Sequence, residues 1–358
     1  MRPLVSIIIP HFNRAALLHE TLTSLVKQSL SEWEAIVVDD GSEPEEWRKA
    51  TEFYDPRVRF LQRIDGLKGP SRCRNLGLAI STGRYVMFVD SDDIVAPWCL
   101  AGRVEWIKAR SEADYCVFPV MLFRKEPGDM AILWNRLEGE NDLQRFLKSD
   151  PPWHTSSPLW RRAAIEQLGG FDEEIMYGDD ADLHMRALFA GLPYSKARDD
   201  LPDVFIRRAT NDRITNTLSD RLLDSRMTRL AKGTQLIKKC GTAGQQRQWE
   251  GQYFVEAEFL LFNVPNGHRR QTDVLRLWRD AWRPTINASL MAAIYFFVAR
   301  LTRNHCYVLL RLMRRIAMKT LPNEYFPRGG FFESEAASPI VVESLNSLLI
   351  QAAGQGVP

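Results

Sequence analysis

Short apolar runs rich in β-branched residues recur along the first half of the chain, at residues 5–9, 35–38, 58–61, 85–89 and 115–120, with turn-forming residues after them. Runs of this length read as strands buried on both faces. Between them lie segments with helical spacing, notably Leu17, Leu18, Thr21, Leu22 and Leu25, and later Leu76, Ala79 and Ile80. Strands alternating with helices predict an α/β fold with a mainly parallel sheet sandwiched by helices. Ligands of such sheets bind outside the carboxyl ends of the strands. The polar residues fall there: His11 and Asn13 trail the first run, Asp39 and Asp40 the second, and Asp90, Asp92 and Asp93 the run ending at Val89.

Past residue 215 the pattern changes to long arginine-rich helical stretches, with few β-branched runs until residues 340–342. This predicts an α/β domain over 1–215 and a mostly helical C-terminal region over 216–358, which would bind the acceptor or associate with a membrane. Residues 286–299 are nearly all apolar, but the run is short of the roughly 20 residues that span a bilayer as a helix. Arg300, Arg303, Arg311, Arg314, Arg315 and Lys319 follow with no acid between them. That suits an interfacial helix pair on an anionic membrane surface. A buried helix with a solvated basic neighbour accounts for the same pattern.

Composition narrows the classes. In 358 residues, 45% hydrophobic and 26% charged is a globular balance, against long disorder and against a polytopic membrane protein. A net charge of +2 gives no reason to expect nucleic acid. The five cysteines have no short paired spacing that would suggest a zinc site or a disulfide framework, which points to a reducing cytoplasm. Pro10, His11 and Asn13 interrupt the first apolar run too early for a signal peptide, so secretion is not expected.

The densest chemistry is Asp90-Ser91-Asp92-Asp93, delivered by an apolar strand into one short loop. Packed acids repel unless neutralised, and Mg²⁺ or Mn²⁺ does so with one or two carboxylates plus substrate phosphates. The competing reading is a solvated turn that caps the next helix. Asp39-Asp40-Gly41-Ser42 sits in the same relation to its strand and could accept hydrogen bonds from a ribose or a base, but Asp-Gly-Ser is also an ordinary turn. Arg72 and Arg74 open the helix carrying Leu76, where an anion such as a diphosphate is favoured, although a solvated surface arginine explains them as well. Farther on, Asp179, Asp180 and Asp182 begin another helical stretch. Acids there complement the helix dipole, which does not exclude a general base among them.

Five strings, in this order and spacing, resemble the family 2 glycosyltransferases of the GT-A fold: Val5-Ser6-Ile7-Ile8-Ile9-Pro10-His11-Phe12-Asn13-Arg14, Val37-Val38-Asp39-Asp40-Gly41-Ser42, Arg74-Asn75-Leu76-Gly77, Thr82-Gly83-Arg84-Tyr85 with Asp90-Ser91-Asp92-Asp93, and Gly169-Gly170-Phe171-Asp172-Glu173. The resemblance covers roughly residues 4–210. It implies an inverting transfer from a nucleoside diphosphate sugar to a carbohydrate, lipid-linked or other hydroxyl acceptor, in cell-surface or exported glycan synthesis. It also implies a divalent metal, Mg²⁺ or Mn²⁺. By resemblance Asp40 sits on the nucleoside with Pro10 and Asn13 beside it, Arg74 lies close to base or phosphate, Asp90 contacts the ribose side, and Asp92 the metal. His11, Asp39 and Asp93 are further candidates.

The pair Asp179-Asp180 looks like the family's Glu-Asp pair, whose second acid is the base, so Asp180 is the expected catalytic residue. Asp179 shortens the usual glutamate. Many relatives carry a histidine near residues 205–211; here none occurs between His184 and His268, and Arg207 or Arg208 would meet phosphate instead. His154 reads as a packed or solvated histidine, or one facing the acceptor, and is not a catalytic candidate. A sugar-phosphate nucleotidyltransferase should open with a Gly-rich basic loop, and a nicotinamide dehydrogenase with Gly-x-Gly-x-x-Gly. Pro10-His11-Phe12-Asn13 is neither. A non-catalytic sugar-nucleotide-binding protein is the third alternative.

Overall fold

The computed structural model describes residues 2–63, 66–134, 137–139, 141–208, 219–265, 267–302, 307–319, 321–322, 325 and 335–354. The chain forms two compact units. The first comprises residues 1–140, 151–217 and 333–358, and the second 141–150 and 218–332.

The first unit holds a seven-stranded sheet of β1 (Val5–His11), β2 (Trp33–Asp39), β3 (Val58–Gln62), β4 (Tyr85–Phe88), β6 (Tyr115–Val117), β9 (Pro158–Arg161) and β10 (Tyr194–Lys196), in the order β10-β6-β9-β4-β1-β2-β3. Only β9 runs against its neighbours, so the sheet is mainly parallel, as the strand and helix alternation predicts. The helices are α1 (Ala15–Val26), α2 (Pro44–Ala50), α3 (Pro70–Ile80), α4 (Cys99–Lys108), α6 (Arg162–Gln167) and α7 (Asp179–Phe189). Alternate side chains of one strand enter opposite layers. Ala35 and Val37 join Ile7, Ile9, Leu18 and Leu22 in one cluster, while Ile36 and Val38 meet Cys73, Leu76 and Ile80 of α3 in another. Within the strands Ser6 of β1 and Glu34 of β2 are buried only as a hydrogen-bonded pair, 2.7 Å apart, and the remaining acids appear where the strands end.

The run at 115–120 is not one strand. Pro119 has no N–H to continue the ladder, and the chain passes from β6 to β7 (Val120–Phe123), which belongs to a second sheet. That sheet has the order β12-β8-β7-β11-β5, with β5 (Ile94–Val95), β8 (Ile132–Leu133), β11 (Val204–Arg207) and β12 (Glu335–Ala336). The last helix, α13 (Pro339–Gly354), packs Val341, Leu345 and Leu349 against Met121, Phe123 and Phe205. The stretch 216–358 is therefore not a single helical region, because the apolar face of α13 covers the second sheet of the first unit. The expected boundary at 215 and 216 lies outside the described residues.

The second unit is helical, as expected for most of the C-terminal region: α5 (Asp142–Leu147), α8 (Asp220–Cys240), α9 (Ala243–Asn263), α10 (His268–Trp282), α11 (Ile286–Thr302) and α12 (Tyr307–Ala317). Phe254 of α9 is its aromatic centre, against Trp278, Phe296 and Tyr325. Among the described residues no helix is long and apolar enough to cross a membrane.

Candidate active site

The carboxyl ends of β1, β2 and β4, the start of α3 and the start of α7 hold the expected residues. At the end of β1, His11 Nδ1 lies 2.9 Å from Asp39 Oδ1, both side chains fully buried. His11 Nε2 accepts the Arg14 N–H at 3.3 Å, which assigns the proton to Nδ1 and makes His11 the donor to Asp39. Asp39 also accepts from the Ser42 hydroxyl, the Ser42 N–H at 2.8 Å, the Gly41 N–H at 3.1 Å and Gln62 Nε2 at 3.2 Å. Burial works against its charge, but these donors hold its carboxyl below the usual range. Asp39 and His11 thus shape the loop from within and do not line an open cleft. Asn13 has φ +51, its N–H donates to Ser42 Oγ at 2.8 Å, and its side-chain oxygen accepts the Glu43 N–H at 2.8 Å at the start of α2. Pro10, next along β1, pairs in register with Val38.

Asp40 points to the other side of that turn. It pairs with Arg63 and accepts the Gly69 N–H at 2.6 Å. Burial pushes its carboxyl up, against the opposing pull of Gly69 and Arg63. Behind it, the helix α3 carries Arg74, which is nearly buried and whose two terminal nitrogens bridge two of the predicted acids. Nη2 reaches Asp90 Oδ1 at 2.7 Å and Nη1 reaches Asp179 Oδ2 at 2.5 Å. Ser71 adds a hydroxyl to Asp179 at 3.1 Å.

Asp180 follows Asp179 on the first turn of α7 and is half-buried. Its carboxyl is pushed up to about 7, first by desolvation and then by the negative charge of Asp179, with Arg74 and the Ala181 N–H opposing. Asp179 is raised as well, again mainly by burial. A carboxylate raised toward neutrality and held near the strand-end acids has the character of a general base.

Asp92 Oδ2 lies 3.0 Å from Arg14 Nη1. Asp93 is buried and accepts the Arg207 N–H at 3.1 Å, and the Arg207 guanidinium donates to the Asp92 carbonyl at 2.9 Å and pairs with Glu20. Arg207 is therefore engaged around this loop. Arg208, on the same strand end, is exposed. Asp90 and Asp92 present hard oxygen donors two residues apart, a set that suits a Mg²⁺ or Mn²⁺ ion completing its shell with phosphates. Among the described residues no group of three or more His, Cys, Asp or Glu gathers to hold an ion.

Sequence reasoning assigns no role at the site to Arg14 or Asn75 and leaves His154 off the catalytic candidates, yet all three are engaged with its residues. Arg14, just past the end of β1, pairs with Asp92. Asn75 ties α3 to the Gly169-Gly170 loop, donating to the Phe171 carbonyl at 2.9 Å and accepting the Phe171 N–H at 2.8 Å. His154 stands with Nε2 4.0 Å from Asp90 Oδ2, its Nδ1 accepting the Ser156 N–H at 3.3 Å and its ring edge-on to Trp134. The proton is thus on Nε2, facing Asp90.

The comparisons with known proteins fit this site. Residues 6–169 match Glycosyl transferase family 2. The chain is similar to an uncharacterized glycosyltransferase, EpsJ, of Bacillus subtilis, 29% identical over 52% of this chain and 56% of that one. It is also similar to a GalNAc(5)-diNAcBac-PP-undecaprenol beta-1,3-glucosyltransferase of Campylobacter jejuni, 30% identical over 51% of this chain and 58% of that one. The chain spans about half the length of these curated relatives. Among solved structures it is similar to residues 1–349 of TarS from S. aureus in complex with UDP-GlcNAc, with a TM-score of 0.62, 17% identity, and 91% and 90% of the two chains covered. That likeness concerns the fold, and it extends over both units. The match places residues 6–169, the stretch that holds the β1, β2 and β4 strand ends and their acids, with Glycosyl transferase family 2, and the fold of the chain is similar to that of the TarS glycosyltransferase.

Proposed function

We propose that the protein is an inverting glycosyltransferase that moves a sugar from a nucleoside diphosphate sugar to a hydroxyl of a lipid-linked or cell-surface glycan acceptor, at the cytoplasmic side of a membrane. The observation that carries this reading is the chain Asp180, Asp179, Arg74, Asp90, which couples a raised carboxylate to the acids at the end of β4.

In this mechanism Asp40 accepts from the nucleoside base, with Pro10 and Asn13 shaping the same pocket. Asp90, oriented by Arg74, meets the ribose side. Asp92, with Asp90, would hold a Mg²⁺ or Mn²⁺ ion, which would supply positive charge toward the departing diphosphate. Arg208, exposed just past the end of β11, would meet a phosphate. The acceptor oxygen attacks the anomeric carbon from the face opposite the diphosphate; the new C–O bond forms, the bond to the diphosphate oxygen breaks, and Asp180 takes the hydroxyl proton. Asp179 stays paired with Arg74 and fixes the start of α7. One displacement inverts the anomeric centre and needs no second carboxylate. The names of two relatives support a lipid-linked acceptor, since they describe glucosyl transfer onto undecaprenol diphosphate glycans.

The test is a panel of nucleotide sugars offered with Mn²⁺, with release of nucleoside diphosphate and product stereochemistry as readouts. Asp180→Asn should keep donor affinity and lose about 10²- to 10⁴-fold in transfer. Near-normal turnover in that variant assigns the base to another carboxylate. No metal-dependent turnover with any donor removes the transferase reading.

A further inference from the structure

Helix α11 is apolar on two opposite faces, and among the described residues one is buried against the helical unit while the other is exposed. At 100° per residue, Tyr295, Phe296, Ala292 and Ala299 point to one side, and all four are buried. Phe296 meets Phe254 with ring centroids 5.5 Å apart, and the Tyr295 hydroxyl donates to Glu258. On the other side Ile286, Leu290, Ile294, Phe297 and Leu301 fall within an arc of about 80°. These are exposed: 86% for Ile286, 59% for Leu290, 61% for Phe297 and 64% for Leu301. Helix α12 packs beside α11 and adds Leu312 and Ile316, one turn apart and also exposed. Scattered surface leucines need no explanation, but a stripe of five along one helix does.

The charge around the stripe selects its occupant. Arg283, Arg300, Arg303, Arg311, Arg314, Arg315 and Lys319 lie between residues 283 and 319, and no Asp or Glu does. Arg315 and Lys319 are exposed beside Leu312 and Ile316. A second copy of this chain would set positive charge against positive charge, whereas an anionic lipid surface offers hydrocarbon for the stripe and phosphate for the arginines. Helix α11 has 17 residues, roughly 25 Å at 1.5 Å per residue, shorter than the hydrocarbon core of a bilayer. That length suits a helix lying along a membrane surface and is too short to cross one.

We propose that the exposed faces of α11 and α12 form an interfacial binding surface for anionic phospholipid. This rests on the helical unit alone and is independent of the transferase reading, whose test uses transfer in solution.

Flotation of the full chain with vesicles tests it, comparing phosphatidylglycerol-rich vesicles with phosphatidylcholine alone. The protein should float with the anionic vesicles and be released by high salt, because screening weakens the basic contribution. Arg315→Gln with Lys319→Gln should weaken partitioning about thirtyfold, about fivefold per charge. Leu290→Ser, Phe297→Ser and Leu301→Ser together should abolish it while leaving secondary structure intact, since these side chains are mostly exposed. Absence of wild-type binding overturns the proposal, as does undiminished binding by the charge variant. A wild-type dimer that the serine variant dissociates, with neither protein binding vesicles, assigns the stripe to self-association instead.

Discussion

Asp180 responds to two neighbours of opposite sign, and this fixes the pH dependence of transfer. Its pKa is raised to about 7, so the proton-accepting form is half-populated there, fills as pH rises beyond it and is lost as pH falls through it. Transfer at subsaturating substrate should fall about tenfold per pH unit on the acid side. After desolvation, the charge of Asp179 is the main cause of the shift. Asp179→Asn removes it and leaves Arg74 less neutralised, and both changes lower the pKa of Asp180. The acid limb of the pH profile should therefore move to lower pH, even though the maximal rate drops with the loss of the 2.5 Å pair to Arg74. A limb that stays in place, or moves upward, in Asp179→Asn would assign the profile to another group. The two adjacent acids differ in surroundings: both are raised by burial, but Asp179 is buried against Arg74 while Asp180, the proposed base, is half-buried.

At the scale of elements, the site is assembled by short connections between motifs that are far apart in the chain. Asn75 on α3 grips the backbone of Phe171, and a Cβ on Gly170 would come 2.5 Å from the Asn75 side-chain oxygen. Gly169 and Gly170 both have positive φ, but nothing lies within 4 Å of a Cβ on Gly169. Gly169→Ala should then cost only the backbone penalty, about 1 kcal/mol. Gly170→Ala adds displacement of Asn75, and should cost about 1–3 kcal/mol and also lower turnover, because the loop it anchors leads into Asp179 and Asp180. Urea denaturation with steady-state rates on both variants checks this, and equal losses would show that the Asn75 grip carries no energy.

Much of this level was legible in the sequence, because fully buried strands such as Ala35 to Val38 permit no polar residue until they end. The antiparallel β9 was not legible, since the direction of a strand leaves no trace in Leu159 and Trp160 themselves. Nor was the role of Val341, Leu345 and Leu349, whose partners Met121 and Phe205 lie in distant strands.

For the whole molecule, the proposed mechanism joins acids from two strand ends, β2 and β4, and one helix start, α7, into one ligand site, so the ligand should stabilise the fold as a unit. A nucleoside diphosphate with Mn²⁺ at about 100 times its Kd contributes about 2.7 kcal/mol by mass action, provided it binds only the folded chain. In domains of 150–250 residues that corresponds to a rise in Tm of about 5–10 °C. The rise should collapse when EDTA removes the ion, and equally in Asp92→Ala. The unliganded Tm of that variant should change little: the Arg14 partner is partly solvated, at 22% exposed, and such a pair contributes at most about 1 kcal/mol. Arg14 gives the experiment its discrimination. It already neutralises Asp92, so a cation must displace it, and Arg14→Gln should bring the metal-dependent rise in at lower Mn²⁺ concentration. An EDTA-resistant rise would mean that the diphosphate is held by arginines without an ion, with Asp92 serving only to orient Arg14 toward the phosphate.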